Sequence, residues 1–334
     1  KKARKHKTLK DYVIFFEKKL KNNLLMLRSE LLLHCYSPKP LINFIIRDPK
    51  TRKISKSNFR DRIIHHALCN IIEPIFERSF IFDSYANRLG KGTLKAIERL
   101  NDFKRKVSKN NTLPCYMLKA DIRRYFETVN HKVLMKVISK KIKDKRILWL
   151  IKKIISNSSY EQKGMPLGNL TSQFFANVYL NELDQFVKHK FKAKYYIRYV
   201  DDFVILHQNP KSLKIYKEKI MSFLETNLLI SLHQDKSKVI KLGNKFTFLG
   251  YRIFHYHRLL KKQNIIKFKK NLEHLKVKYY SKIIDYDKLY DSLEGWIACV
   301  MSANTFKLRR RILSDFESQF INEISTKEVN RLIK

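Results

Sequence analysis

The chain has 334 residues, with 71 Lys and Arg against 30 Asp and Glu, a formal net charge of +41 at pH 7. Such a charge repels itself unless an anionic polymer or surface is nearby, so nucleic acid is the first partner to expect and an anionic membrane the second. A hydrophobic share of 44% excludes a wholly disordered chain, and the length allows one large domain or two to three packed subdomains.

Taken in chain order, a basic amphipathic third runs to about Leu100, with helices over Asp61–Phe76 and Lys91–Val107. Tyr116–Ile122 reads as a strand and Leu170–Phe191 as a long helix. Two apolar strands, Tyr195–Val200 and Phe203–His207, are joined across Asp201 and Asp202. Leu213, Tyr216, Ile220, Phe223 and Leu224 keep the three-and-four spacing of a buried helix face. Strands follow over Lys238–Lys241 and Phe246–Phe254. From Asn264 onward the pattern is helical and basic, including Lys307, Arg309, Arg310 and Arg311. The centre is therefore α+β, flanked by basic, largely helical segments.

The most apolar stretch, Ile147 to Ile155, is broken by Lys152 and Lys153 and is too short for a bilayer, which needs roughly 20 apolar residues. Cys35, Cys69, Cys115 and Cys299 form no CxxC pair and no disulfide framework, which suits a reducing cytoplasm. No signal peptide is visible, and the chain starts at Lys1 rather than Met, so a trimmed N-terminus stays open.

The chemistry-bearing feature is Tyr199-Val200-Asp201-Asp202, two adjacent carboxylates between apolar strands. Like charges a few Å apart resist joint ionisation without a cation. Taken alone, a surface hairpin that favours acidic turn residues explains it as well. Asp121, at the end of Cys115-Tyr116-Met117-Leu118-Lys119-Ala120, changes the balance. A carboxylate at a strand end beside an acidic hairpin has the makings of a two-magnesium site, because Mg²⁺ prefers hard oxygen ligands and binds substrate phosphates. Two such ions suit nucleotidyl transfer to a 3′-hydroxyl.

These residues resemble a known family. Tyr199-Val200-Asp201-Asp202 is similar to the YxDD box of reverse transcriptases, and Asp121 falls where their first catalytic aspartate lies. Arg52-Lys53-Ile54 through Phe59-Arg60-Asp61-Arg62 resembles the fingers block, and Ser84 to Thr93 resembles the next block. Gly164-Met165-Pro166-Leu167-Gly168-Asn169-Leu170-Thr171-Ser172-Gln173 resembles the template- and nucleotide-positioning block. Phe248-Leu249-Gly250-Tyr251 resembles the primer grip. The GNLTSQ wording, followed by Phe175-Ala176-Asn177-Val178-Tyr179-Leu180, is most similar to the reverse transcriptases of diversity-generating retroelements. Those of retrons and phage defence share the core blocks. A catalytically idle RNA-binding scaffold is the reading from another class.

The resemblance implies a right-hand polymerase, with fingers over 1–113, an antiparallel-sheet palm with helices on one face over 114–261, and a helical basic thumb over 262–334. Part of the fingers is allowed within 130–165. No RNase H or endonuclease segment is expected. It implies that Asp121 and Asp201 ligate two Mg²⁺ (Mn²⁺ substituting), with Asp202 in support and the Ile122 carbonyl adding a ligand. Phe126 is implied to exclude a ribose 2′-hydroxyl, so that dNTPs are preferred. Arg52 is implied to meet the incoming triphosphate, with Lys53 assisting, and Leu167, Gly168 and Gln173 to line the nucleotide site. Arg62, Arg88, Pro166, Tyr199, Leu249, Gly250 and Tyr251 are implied to meet template or primer. For Lys53 and Arg62 a solvated surface charge is an equal reading. Many reverse transcriptases carry Gln where Leu167 falls. Leucine packs there but makes no hydrogen bond, and Leu167 and Arg52 together are expected to lower fidelity at adenines, ordinary packing under the template base being the alternative for Leu167.

Lys236 is a candidate general acid for pyrophosphate. His255 and His257 form an HxH for which surface or nucleic-acid contact is expected rather than a metal. Trp296 is expected in a helix core or at a duplex edge. The partners implied are a structured template RNA, the RNA–cDNA hybrid, dNTPs and a small basic accessory variability protein that is pentameric. No membrane partner is expected. The setting implied is the cytoplasm, with the chain bacterial or phage-encoded.

Overall fold

The structure is a computed structural model that describes residues 1–47, 51–157, 162–243, 245–254, 256–320 and 323–333. His255 lies outside the described residues. The chain divides into two compact units, Lys1–Ile240 and Lys241–Lys334.

In the first unit, α1 (Asp11–Lys18) and α2 (Leu20–Leu32) precede an antiparallel hairpin of β1 (Ile42–Ile46) and β2 (Arg52–Lys56). Helix α3 (Phe59–Glu77) starts where the Asn58 side chain accepts from Arg60 N–H, and α4 (Thr93–Val107) starts after Gly92 at φ 120°. Strand β3 (Tyr116–Asp121) leads into α5 (Tyr125–Thr128), α6 (His131–Ser139) and α7 (Lys145–Ser156). Asn130 and Asp144 cap α6 and α7 with side-chain oxygens, each satisfying N–H groups that a helix start leaves open. The long helix α8 (Leu170–Lys190) is buried around most of its circumference, polar Thr171, Ser172, Asn177, Asn181 and Asp184 included, which makes it a core helix. It packs on α3, with Phe174 edge-on to Phe76 at 5.8 Å.

Strands β4 (Tyr196–Tyr199) and β5 (Asp202–His207), helix α9 (Pro210–Asn227) and strand β6 (Lys238–Lys241) complete the central sheet in the order β4-β5-β3-β6. The pairs β3–β5 and β4–β5 are antiparallel. Consecutive residues Phe203, Val204, Ile205 and Leu206 are all buried, as are Met117 and Leu118. Successive strand side chains point to opposite faces, so both faces are covered. This corrects the expectation of helices on one face only, and it explains why Phe203–Leu206 is an unbroken apolar run.

The second unit begins with a three-stranded antiparallel sheet of β7 (Phe246–Phe248), β8 (Tyr251–Ile253) and β9 (Arg258–Leu260). The single strand expected over Phe246–Phe254 is instead a hairpin. Leu249 at φ 46° and Gly250 at φ 88° form its two-residue turn, the left-handed pair that a tight right-twisted hairpin requires. Helices α10 (Lys262–Tyr280), α11 (Tyr286–Val300), α12 (Phe306–Glu317) and α13 (Thr326–Ile333) follow. Their shared core includes Leu272, Leu289, Leu293, Ile297, Leu313 and Phe316. Trp296 stacks on Phe268 at 3.9 Å, a helix-core position. Within the basic run, Arg309 is buried and donates to the Leu332 and Ile333 carbonyls, so it ties α12 to the end of α13.

Candidate active site

The β3–β5 register places Asp121 directly opposite Asp202, and the β4–β5 register places Tyr199 opposite the same Asp202. The turn is therefore Val200-Asp201, with Asp202 already in β5, rather than Asp201-Asp202. Residues paired across antiparallel strands have Cα atoms about 4.5–5.5 Å apart, so two carboxylates from distant parts of the sequence share one sheet end. Asp201 sits beside them in the turn, its carbonyl accepting from Ile122 N–H at 3.3 Å. Val200 holds φ 55°, a left-handed conformation that β-branched residues adopt only under constraint.

Three contacts fix the Asp121 side of the cleft. His233 N–H donates to the Asp121 carbonyl at 2.7 Å, and the buried Ser237 hydroxyl accepts from Asp121 N–H at 3.4 Å. The Lys236 ammonium pairs with the Asp121 carboxylate. Burial, then the Asp121 and Asp202 carboxylates, push the Asp201 carboxyl up from 3.8 to about 6, while Lys236 pulls the other way. The site therefore concentrates negative charge that a cation relieves. Among the described residues, no three His, Cys, Asp or Glu side chains close into a ready-made metal cluster. Divalent ions here would complete their shells with water and substrate oxygens, as Mg²⁺ usually does.

The positioning block is built around the same end. Met165 N–H donates to the Phe126 carbonyl at 2.6 Å and Gly164 N–H to the Val129 carbonyl at 2.8 Å, so Phe126 and Pro166–Leu167 are neighbours. The Phe126 ring is part-buried, edge-on to Tyr125 at 5.5 Å. Strand β2 docks on this block. Ser55 N–H donates to the Leu167 carbonyl at 2.8 Å, and Ser57 donates through N–H (3.0 Å) and hydroxyl (2.7 Å) to the buried Asn169 side-chain oxygen. Gly168, at φ 116°, passes so close to β2 that an added Cβ would stand 2.8 Å from Ile54 Cγ2. Gln173 lies in the first turn of α8, part-buried, its N–H on the Asn169 carbonyl.

The remaining candidates fall elsewhere. Arg52 and Lys53 stand exposed on the β1–β2 hairpin. Arg62 donates from Nε to the Ser57 carbonyl at 3.0 Å and lies over the Tyr12 ring, so its guanidinium is engaged inside the unit. Arg88 is a correction. Its side chain is 7% exposed, donating to Glu77 and to the Ile81 and Ser84 carbonyls, so it braces a loop and is not presented to a strand. The Tyr199 hydroxyl accepts from Thr93 at 3.0 Å, which links the hairpin to the start of α4. Leu249, Gly250 and Tyr251 belong to the second unit, where the Tyr251 hydroxyl meets Ser302 Oγ at 2.7 Å. His257 stacks on Phe254 at 4.5 Å.

Sequence reasoning missed Asn169, Ser57 and the buried pair Arg198–Asp184. A signal for Arg198 was available. Arg198 is a charge inside an otherwise apolar strand that ends at the carboxylates.

Antiparallel strands presenting carboxylates at one end, with helices on both faces and a helical second unit, define a right-hand polymerase fold in the α+β class. Solved telomerase shares it: the Candida albicans enzyme in complex with the TWJ fragment of telomeric RNA superposes with a TM-score of 0.53 at 12% identity, over 92% of this chain and 62% of that one. Residues 45–253, well over half of the chain, match the model of the family described as reverse transcriptase (RNA-dependent DNA polymerase). The chain belongs to the reverse transcriptase family, and its enzyme class is RNA-directed DNA polymerase. Among curated relatives it is 28% identical over 269 residues to Protein YkfC of Escherichia coli, covering 68% of this chain and 70% of that protein. It is 25% identical over 311 residues to the group II intron-encoded protein LtrA of Lactococcus lactis subsp. cremoris, covering 72% of this chain but only 50% of LtrA. No described helix is long and apolar enough to cross a membrane.

Proposed function

We propose that this chain copies RNA into DNA, extending a primer 3′-hydroxyl with dNTPs and releasing pyrophosphate. The observation that carries the reading is Asp121 opposite Asp202 at one sheet end with Asp201 in the adjoining turn. The donor set fits Mg²⁺, with Mn²⁺ as a substitute: all hard oxygens, crowded enough to raise the Asp201 carboxyl above its ordinary value, and already drawing the Lys236 ammonium. When bound, a pair of such ions supplies Lewis-acid stabilisation at the attacking and departing oxygens. Asp121 and Asp201 would hold both ions, with Asp202 in support and the Ile122 carbonyl as a further ligand. Phe126 would lie under the incoming sugar, where a ring leaves no room for a 2′-hydroxyl. Leu167, Gly168 and Gln173 would line the nascent pair, and Arg52 and Lys53 would meet the triphosphate. Lys236 would exchange its hold on Asp121 for a role near the departing phosphate.

In this reading residues 1–113 serve as fingers, 114–261 as palm and 262–334 as thumb, with Tyr199 as a primer contact and Pro166 as a template contact. The basic surface would take the RNA–cDNA hybrid by backbone and shape, so binding should weaken steeply with salt. Primer extension on an RNA template, wild type beside Asp201→Ala, tests the proposal. Equal synthesis by both would leave an RNA-binding scaffold as the function.

The finer reading is the error-prone reverse transcriptase of a diversity-generating retroelement, working with a structured template RNA and a basic pentameric accessory protein. It is supported by Leu167 in a GNLTSQ-type block that leads directly into α8. Sequencing cDNA made by Leu167→Gln and Leu167→Ala checks it: adenine errors should fall with Gln. Unchanged rates in both would return the chain to the retron or defence branch, which a template repeat or a defence cassette among its genomic neighbours would separate.

A further inference from the structure

Arg198 is the largest fully buried side chain among the described residues, and it lies three positions before Asp201. Its guanidinium is bidentate on Asp184 of α8, Nε to Oδ1 at 2.7 Å and Nη2 to Oδ2 at 2.6 Å, and neither partner's side chain is exposed at all. The third arm, Nη1, donates to Asn177 Oδ1 and to the Val200 carbonyl, both at 3.1 Å. Asn177 is itself anchored, its amide on the Ala86 carbonyl at 2.8 Å, and the Tyr196 hydroxyl donates to Asp184 at 2.7 Å. The Arg198 main chain is pinned too, accepting from Tyr85 N–H and donating to the Asp83 carbonyl.

Stability alone does not account for this arrangement. Removing two charges from water costs several kcal/mol per ion, and well-packed apolar residues often serve a core as well or better. The geometry at the turn supplies a reason. The Val200 carbonyl belongs to the peptide group that enters Asp201, and the Asp201 carbonyl belongs to the one that leaves it. Arg198 holds the first and Ile122 N–H holds the second, at 3.3 Å. With both flanking peptide planes held, the two backbone torsions of Asp201 are restrained and its carboxylate keeps one direction. Val200 needs such a hold, since its left-handed φ of 55° is strained for a β-branched residue.

We infer that Arg198 is a positioning residue for the catalytic turn: clamped to α8 by Asp184 and Asn177, it fixes the peptide that leads into Asp201 and thereby the aim of that carboxylate. This rests on the polymerase reading above. The same helix carries the nucleotide-positioning block at its N-terminus, so α8 references the nucleotide site and the metal-binding turn to one rigid element.

The experiment compares wild type with three variants of the full chain: Arg198→Lys, Asp184→Asn, and the double replacement Asp184→Leu with Arg198→Met, which removes both charges together. Mn²⁺ binding is followed by the electron paramagnetic resonance of the free ion, alongside the Mg²⁺ midpoint of primer extension, primer–template affinity and melting temperature. Outer residues that orient metal ligands typically change affinity by about 10–100-fold. The double variant and Arg198→Lys should therefore bind Mn²⁺ at least about tenfold more weakly, shift the Mg²⁺ midpoint upward equally, and keep primer–template affinity. Asp184→Asn, which keeps the arm to Val200, should lower the melting temperature but leave Mn²⁺ affinity near wild type. A folded double variant, or a folded Arg198→Lys, with wild-type Mn²⁺ affinity overturns the assignment. So does a folded Asp184→Asn that loses Mn²⁺ as far as the double. A wild type that neither binds Mn²⁺ nor extends a primer would instead bring down the polymerase reading itself.

Discussion

Crowding three carboxylates at one sheet end has a measurable cost in the metal-free protein. Asp201 is part-buried, and its carboxyl is raised from 3.8 to about 6 by burial and by Asp121 and Asp202. A group whose folded pKa is raised stabilises the fold fully below its unfolded value and loses that contribution as pH climbs through the folded value. Ionised Asp201 therefore opposes folding above pH 6. The difference between 3.8 and about 6 corresponds to about 3 kcal/mol at 1.36 kcal/mol per pH unit, a ceiling because the carboxylate keeps part of its water. Asp201→Asn preserves shape and removes the charge. In EDTA at pH 8 it should melt higher than wild type by up to about 6–12 °C, at roughly 2–4 °C per kcal/mol for a unit of this size. The gap should close as pH falls from 6 towards 4. His65, which burial holds down to about 4, titrates in the opposite sense but is common to both proteins and cancels in the difference. Saturating Mg²⁺ should stabilise wild type much more than the variant. Scanning fluorimetry across pH 4–8 in EDTA and in Mg²⁺ measures all of this. A metal-free Asp201→Asn that melts at or below wild type at pH 8 would refute the reasoning.

Gly168→Ala places a Cβ against Ile54 at a backbone angle that alanine resists, so β2 should shift; a loss of about 1–3 kcal/mol and a raised KM for dNTP are expected from melting and steady-state kinetics. Asn169→Ala leaves the buried Ser57 N–H and hydroxyl without their acceptor, costing about 1–3 kcal/mol in denaturant unfolding, whereas Asn169→Asp, which keeps the acceptor, should lose less. Phe126→Ala should relax sugar selection, raising ribonucleotide over deoxyribonucleotide incorporation by about 10- to 200-fold in single-nucleotide extension, the discrimination a pocket wall supplies by fit alone. An unchanged ratio would make Phe126 a packing residue beside Tyr125.

Local chemistry carried much of the result. Largely apolar runs marked β3, β4 and β5, and three-and-four spacing marked α9, because burial dictates those patterns before any tertiary contact forms. The carboxylates stood out for the same local reason: acids are scarce in a chain of charge +41, and two of them interrupt an apolar hairpin. What pairing decided was register. Asp121 meets Asp202 across 81 residues of sequence only because β3 lies beside β5 in that alignment, and a slip of one residue would turn every side chain to the other face. The turn at Leu249–Gly250 escaped a reading based on hydrophobicity, since φ and not polarity makes it. Arg88 and Arg198 show the limit most clearly: Arg88 looks like any of the 71 basic residues yet braces a loop, and Arg198, although marked by its apolar strand, shows nothing in the sequence of the Asp184 it is sealed against. A charge's role follows from the partner and the water left around it, and both are properties of the folded chain.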